Sequence, residues 1–547
     1  MSKKNKHVDA IVVGAGAGGG VVAKELAVSG IGVVLFERGD WPDYDHHTND
    51  ELTSQRGAPL EACMGPDLAK NPRVRISGEG DKMKVVPLDG NGSHIAGCVG
   101  SGTVSYGAMA WRFMPEDFRM KSTYGSVEGS TLADWPISYD ELEPCYEKAE
   151  WQIGVSGDDS KNPFAPPRKK PYPMPAFENN EDGKLLAAAC ERMGLHPFPI
   201  PMARNSVPYN GRAGCIRNRT CVGYMCPVNA KNGTHNTVTP VAMKSGNCEL
   251  RTRCQVVEVL IDNDGRARGV KYFDQNDQPR IQTADIVVVS ASAVESARLL
   301  LNSKSKKFPN GAGNNNDWVG RNLQSHAYTG ASACFDHEVQ HFDGPGATFG
   351  FCDYNHHNEG IIGGGLLCNE FFRLPYGFTK FRPPGSPRWG AEHKEFQRTN
   401  FFRYSGLHGP IQEMPNFHSR VVAYGGQKDY WGYPVAAMSG SRHPLDEKHC
   451  QFLSAKAEEI LKEAGATRTW QQVGGKGQGG GQHQAGTCRM GDDPATSVVN
   501  RYGQVHDIDN LYVADGGVIV TNGGFNPALT IMALGFWIGE HLVKKYA

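Results

Sequence analysis

The chain is predicted to fold as an α/β (α+β) protein built from two intimately joined domains. Three observations point there. An apolar stretch at residues 10–13 runs into the glycine-rich segment Gly14-Ala15-Gly16-Ala17-Gly18-Gly19 and then into an apolar helix pattern at 21–26, the order of a strand, a tight turn and a helix. The same order returns near residue 289, where an apolar strand at 286–289 precedes a helix pattern at 294–301. The 547 residues also exceed what one compact core usually holds.

The first unit reads as a Rossmann-like dinucleotide-binding turn. Gly14 permits the tight turn, Gly16 lets a pyrophosphate approach the backbone, and Gly19 lets the helix pack on the strand. The helix start offers unpaired N–H groups to phosphates. A second strand at 32–36 ends in Glu37, about 20 residues beyond the glycines, where a carboxylate can accept from a ribose hydroxyl.

After about residue 45 the pattern dissolves into a polar segment without clear periodicity. Residues 89–113 form a Gly-rich run, from Asp89-Gly90-Asn91-Gly92 through Gly100-Ser101-Gly102-Thr103 to Trp111-Arg112-Phe113, expected to be a loop lying against something flat. Ser138 and Glu141 make a capping box before a helix at 142–153. The six prolines between Pro163 and Pro175, with Arg168-Lys169-Lys170, read as a surface excursion. Between 248 and 289 the alternating runs 256–261 and 270–273 are joined by the hairpin signal Asn263-Asp264-Gly265. Residues 330–480 mix aromatics, glycine and histidine around one amphipathic helix at 445–464, stopped by Gly465.

Composition bounds the function classes. A formal net charge of −1 argues against general affinity for nucleic acid or anionic lipid. The opening Met1-Ser2-Lys3-Lys4-Asn5-Lys6 has no apolar signal core, so a cytoplasmic location is expected unless a partner subunit carries the chain to the periplasm. The apolar stretch 511–542 contains Asp515, Asn522, Asn526, Pro527 and Glu540, so no transmembrane segment is expected there. The 14 cysteines are scattered, which fits reduced thiols better than a disulfide framework.

The C-terminal part carries the chemistry. Asn526-Pro527 is a helix-start signal, with Asn as N-cap and Pro in the first helical position. The helix that follows is almost wholly apolar through Leu534, so its N-terminus, with about half a positive charge, is expected to be buried. Aimed at a flavin, it would favour the negative charge that gathers at the N1 and C2-carbonyl edge on reduction. His483 lies 43 positions before Asn526, within Gly479-Gly480-Gly481-Gln482-His483-Gln484-Ala485-Gly486-Thr487. An imidazole there can take the hydroxyl proton of an alcohol while its C–H hydrogen leaves as hydride.

These residues resemble the glucose-methanol-choline (GMC) family of FAD-dependent oxidoreductases over nearly the full length. Its C-terminal signature appears as His483-Gln484-Ala485-Gly486-Thr487-Cys488-Arg489-Met490-Gly491, then Asn510-Leu511-Tyr512-Val513-Ala514-Asp515-Gly516-Gly517, then Asn526-Pro527-Ala528-Leu529-Thr530. The resemblance implies His483 as catalytic base and Asn526 as the group that binds the substrate oxygen. It further implies Asp515 and Gly516 near the pyrophosphate and ribityl chain, Val256 near adenine, and the segment 99–109, with Gly100 and Gly102, over the flavin. Some members attach FAD through a His in that segment; Ser105 stands in its place, which implies non-covalent FAD. Ala291-Ser292-Ala293 departs from the family, where many members carry glycine.

The likeness also implies the division: 1–115 and 211–330 to the FAD-binding domain, 116–210 and 331–479 to a discontinuous substrate domain on an antiparallel sheet, and 480–547 to a catalytic segment. Trp135-Pro136-Ile137-Ser138-Tyr139-Asp140-Glu141-Leu142 and Thr496-Ser497-Val498-Val499-Asn500 resemble bacterial dehydrogenase flavoprotein subunits that act on gluconate, fructose, glucose or glucosides. A sugar or polyol substrate is therefore expected, with a small export subunit and a cytochrome or quinone acceptor as partners. The alternatives within the family are an oxidase that reduces oxygen to peroxide and a lyase that keeps FAD without redox use; a non-catalytic nucleotide-binding module is the plainest.

Cys215, Cys221 and Cys226 fall within twelve residues, and two readings stand for them. Three thiolates suit a three-iron, four-sulfur cluster, which related sugar dehydrogenases carry in this region, although each gap here is one residue wider. Ordinary buried thiols are the other reading.

Overall fold

The computed structural model describes residues 7–54, 67–78, 82–88, 96–474 and 481–547. The sequence pattern places Val8–Val13, Val33–Phe36 and Leu511–Val513 in the core: the last two strands are buried throughout and the first in its last four residues. With Cys248–Arg251 and the second half of Pro279–Val289 they form a parallel sheet. Its order is Cys248–Arg251, Val33–Phe36, Val8–Val13, Pro279–Val289, Leu511–Val513. Near-continuous apolar runs are what a parallel sheet covered on both faces requires. The first half of Pro279–Val289 instead pairs antiparallel with Ala267–Phe273, which turns back on Gln255–Ile261 through the expected hairpin.

Two helices pack close together against this sheet. Ala17–Val28 follows the glycine turn, and Ala528–Tyr546 lies against it where Gly535 and Gly539 leave room. A Cβ on Gly535 would sit 3.1 Å from Val21 and one on Gly539 3.0 Å from Glu25. The helix Tyr139–Ala149 begins with the capping box read from Ser138 and Glu141.

The second sheet is antiparallel and six-stranded, in the order Arg468–Gln472, Tyr328–Cys334, Tyr404–Pro410, Leu367–Asn369, Phe349–Phe351, Phe198–Pro199. Leu186 and Ala189 of the helix Glu181–Arg192, and Leu453, Ala457 and Ile460 of the helix Pro444–Glu463, build a core on one face. The other face looks into a cavity. Tyr328–Cys334 crosses the boundary expected at residue 330.

A third sheet corrects the reading of the polar segment after residue 45. Arg73–Ser77 and Lys84–Pro87 are strands, joined to Arg420–Lys428 and Pro434–Ser439. Their alternation was too short to register, and the pair joins the sheet through Arg73–Ser77, whose other partner, Pro434–Ser439, lies more than 300 residues away. Buried charge ties this sheet to the helix Ala293–Asn302, which follows Pro279–Val289: the Arg73 guanidinium lies 2.7 Å from Glu295, and Arg298 pairs with Glu295 and Asp429. Among the described residues no helix is long and apolar enough to cross a membrane.

Candidate functional site

A cavity of about 570 Å³ opens where the parallel strands end, and its lining runs from the glycine turn to the antiparallel sheet. That is the edge at which open α/β sheets bind ligands. Gly14, Gly16, Glu37, Gly102, Val256, Asp515, Gly516, His483 and Asn526 all line it. Gly19 and Gly100 do not, and act one step behind. A Cβ on Gly19 would meet the Gly14 carbonyl oxygen at 1.9 Å, so its absence lets helix and strand close up as read from the sequence. Gly100 has φ +92° and donates its N–H to the Ala15 carbonyl at 3.0 Å, fixing the covering segment to the turn. Gly18, not singled out from sequence, is as constrained: a Cβ there would lie 1.7 Å from the Ala514 carbonyl oxygen.

The first helix starts without a side-chain cap and with no acidic residue in its first turn, so its N–H groups face the cavity uncompensated. Glu37 is buried and supports the turn itself, accepting from the backbone N–H of Ala15 at 3.1 Å and of Gly39 at 3.0 Å. Burial raises its pKa, against the pull of those two N–H groups. Asp515 accepts from Gly517 N–H at 2.7 Å and from the Ser296 hydroxyl, and burial pushes its carboxyl up to about 6. Ser292, at the position where the family resemblance leads one to expect glycine, has φ +77° and ψ 155°, a conformation that suits glycine.

The helix Ala528–Tyr546 corrects one expectation. Pro527 takes the cap position and no side chain caps it, so Asn526 is not the N-cap. Its amide points into the cavity instead: Nδ2 lies 3.0 Å from the Tyr328 hydroxyl and 3.3 Å from His483 Nε2, while Oδ1 is buried without a partner among the described residues. Two uncapped helix starts therefore meet one cavity, and the second brings Asn526 beside His483.

His483 adopts φ +66°, and Asn522 Nδ2 donates to its carbonyl at 2.9 Å. Gly479 and Gly480, read as its flanking glycines, lie outside the described residues, as do Asp89-Gly90-Asn91-Gly92. The partner that sequence reasoning missed is His326. Its Nδ1 lies 3.0 Å from His483 Nδ1, and the rings meet edge to face at 5.1 Å. His326 Nε2 faces the Asn522 carbonyl at 3.4 Å, a group that can only accept, so that nitrogen carries the hydrogen. Burial lowers the His326 pKa, against the opposing effect of Glu413, and keeps the ring neutral. Its Nδ1 is then an acceptor, His483 Nδ1 donates to it, and His483 Nε2 carries the lone pair next to Asn526. Glu413 holds the backbone here, accepting from Ser325 N–H at 2.7 Å and His326 N–H at 3.1 Å. Nothing in the polar run Asn322-Leu323-Gln324-Ser325-His326 signalled this role.

None of the three cysteines lines this cavity, although Val222, beside Cys221, does. Cys221 is buried and the other two are half-buried; Cys215 Sγ accepts from Arg217 N–H at 3.3 Å and Cys226 Sγ from Ala230 N–H at 3.2 Å. Burial raises the Cys215 thiol, and Cys221 and Cys226 are near enough to add to that. Still, among the described residues no three His, Cys, Asp or Glu side chains are gathered to hold a metal ion. The iron–sulfur expectation gains no support from this geometry.

Two family models described as GMC oxidoreductase match the chain, over residues 131–328 and 418–535. It is 30% identical to the 2-methyl-1,2-propanediol dehydrogenase of Mycolicibacterium austroafricanum, over 100% of this chain and 97% of that protein. It is 28% identical to the gluconate 2-dehydrogenase flavoprotein of Pantoea cypripedii, over 100% of this chain and 95% of that one. The crystal structure of pyridoxine 4-oxidase from Mesorbium loti superposes with a TM-score of 0.64 at 17% identity, covering 98% of this chain and 99% of that chain, a likeness of fold. The chain belongs to the GMC oxidoreductase family. It is accordingly a flavoprotein oxidoreductase with the two-domain fold of that family.

Proposed function

We propose that the chain is a dehydrogenase with non-covalent FAD that oxidises an alcohol group of a sugar, sugar acid, glycoside or polyol, with His483 as base. The observation that carries this is the His326–His483–Asn526 arrangement at one end of the cavity whose other end is the glycine turn. The lining suits FAD. The first uncapped helix start and Gly16 would hold the pyrophosphate, Glu37 a ribose hydroxyl, and the Ala528–Tyr546 start the flavin edge that becomes anionic. Gln255 Oε1 and Ser292 Oγ, buried and without a hydrogen-bond partner among the described residues, line the same cavity and would bind the nucleotide. Ser105 is buried and outside the lining, whereas Thr103, Tyr106 and Gly107 border it, which supports a dissociable cofactor.

When bound, FAD would supply the hydride acceptor at N5. The chain's own residues do the proton chemistry. A substrate hydroxyl entering between His483 and Asn526 gives its proton to Nε2 and accepts from Asn526 Nδ2 through the same oxygen. His326 holds His483 in the tautomer that can receive that proton. General-base help of this kind is worth about 100- to 10,000-fold. An export subunit and a cytochrome or quinone acceptor belong to the same proposal, supported by the likeness to bacterial sugar dehydrogenase flavoproteins; no electron route through the cysteines does.

The test is anaerobic mixing of the holoprotein with a panel of sugars, sugar acids, glucosides and polyols while flavin absorbance is followed. Bleaching by at least one is expected. No bleaching across the panel overturns the proposal, and steady peroxide formation in air would move the protein to the oxidases.

A further inference from the structure

The face of the antiparallel sheet that roofs the cavity carries a polar group outside the chemistry above. Register fixes it: Cys368 pairs with His408, His408 with Gly330, and Gly330 with Gln472, so these residues form one row across four strands. Cys368, His408 and Gln472 all line the cavity. Gly330, where a Cβ would lie 2.9 Å from the His408 ring, leaves His408 free to reach across to Gln472. Tyr328, whose hydroxyl touches Asn526, lies two residues from Gly330 on the same strand and face, roughly 7 Å along it. The row thus stands one step away from the reacting end.

Hydrogen placement follows from the partners. Gln472 Nε2 donates to Ser332 Oγ at 2.9 Å, so its Oε1 accepts from His408 Nε2 at 2.7 Å. Burial lowers the His408 pKa, with Glu370 opposing and Arg373 assisting, which favours the neutral ring with its hydrogen on the Nε2 that donates to Gln472. His408 Nδ1 is therefore an acceptor. It faces Glu370 Oε2, a second acceptor, at 3.7 Å, and both atoms are buried with no hydrogen-bond partner among the described residues. Two acceptors turned on each other in a cavity require donors from outside. The other Glu370 oxygen is paired with Arg373, so its charge is already balanced.

We propose that Glu370 and His408 form a specificity seat that receives two neighbouring hydroxyls of a neutral sugar or polyol while its reacting hydroxyl lies at His483. This deepens, and rests on, the alcohol-oxidation proposal, and it disfavours a substrate that must place a carboxylate at the seat. A vicinal diol offers one O–H to each acceptor. A carboxylate brings only acceptors and is repelled. An ammonium brings donors but gains little from a carboxylate that Arg373 already neutralises.

The test uses the holoprotein with oxidised flavin and three probes, D-glucose, D-glucosamine and D-gluconate. Binding is read from the perturbation of the flavin spectrum, with bleaching followed in parallel. Glucose is expected to bind most tightly and gluconate most weakly, and Glu370→Gln should weaken glucose about 10-fold while leaving gluconate unimproved or slightly better. Gluconate binding best, glucosamine binding best with that advantage lost in Glu370→Gln, or no sugar binding at all would overturn the seat. The order appearing without any bleaching would sink the alcohol-oxidation proposal and keep the seat. Bleaching without the order would do the reverse. The wild-type order tests the seat even if Glu370→Gln fails to fold.

Discussion

His326→Leu is expected to slow substrate reduction of the flavin without emptying the nucleotide site. The side chain touches His483 through Nδ1 at 3.0 Å and lies outside the lining of the cavity. Its removal takes away the acceptor that selects the His483 tautomer with the lone pair on Nε2. A buried hydrogen bond lost on one side costs about 1–3 kcal/mol, which as a bias between tautomers corresponds to about 5- to 150-fold in the ratio of the base-competent tautomer to the other. His326→Gln, which keeps an amide oxygen near that position, should recover part of the loss. The assay is rapid anaerobic mixing with saturating substrate, with FAD content and melting temperature measured on the same samples. A merely structural role would lower FAD content and melting temperature and leave the rate per bound flavin unchanged, with no recovery in the glutamine variant. A fully loaded His326→Leu protein that bleaches at the wild-type rate would refute the tautomer argument.

Ser292→Gly should raise the melting temperature, because φ +77° with ψ 155° costs a non-glycine residue about 1–3 kcal/mol and the glycine gives back about 0.5–1 kcal/mol in chain entropy; a lower melting temperature would contradict the strain. Asn526→Ala should slow substrate reduction of the flavin and cost the apoprotein only the hydrogen bonds to Tyr328 and His483, about 0.5–1.5 kcal/mol, since its amide caps nothing; no change in the rate of flavin reduction would contradict its place beside the substrate oxygen. Asp182, between Ser405 and Asn369, has its carboxyl pushed up to about 6 by burial. A folded pKa above the unfolded one stabilises fully below about pH 4, and that contribution is lost as pH rises through 6, on the order of 3 kcal/mol. Asp182→Asn should therefore gain on wild type in thermal melts as pH rises from 4 to 7.5, and a constant gap would show the carboxylate at ease in its site.

The parallel half of the fold was readable because its signals are local. A four-residue apolar run, a glycine turn and an apolar helix sit in one short stretch, and the pattern recurs at 286–301. The hairpin at Asn263-Asp264-Gly265 and the capping box at Ser138 and Glu141 are likewise short-range, and the structure has both. The third sheet was not readable, because Arg73–Ser77 pairs with Pro434–Ser439, far along the chain, and Lys84–Pro87 is a mostly exposed edge strand on it.

The same division runs through the site. Glycines, His483 and Asn526 stand in motifs. His326 contributes through one nitrogen placed by a backbone turn at φ +50° and by Glu413, and Glu370 and His408 become a pair only through sheet register. Asn526 was read correctly as a helix-start residue and wrongly as the cap, since Asn-Pro is compatible with either and the choice depends on Tyr328 and His483 competing for the amide.

The most direct measurement is the anaerobic rate of flavin reduction in His483→Ala against wild type, with the best substrate of the sugar and polyol panel and FAD content checked in both. His483→Ala should keep its FAD and bleach at least about 100-fold more slowly, since it loses the proton acceptor and leaves the nucleotide site intact. If the loaded variant bleaches at the wild-type rate, His483 is not the base and the proposed proton chemistry is wrong.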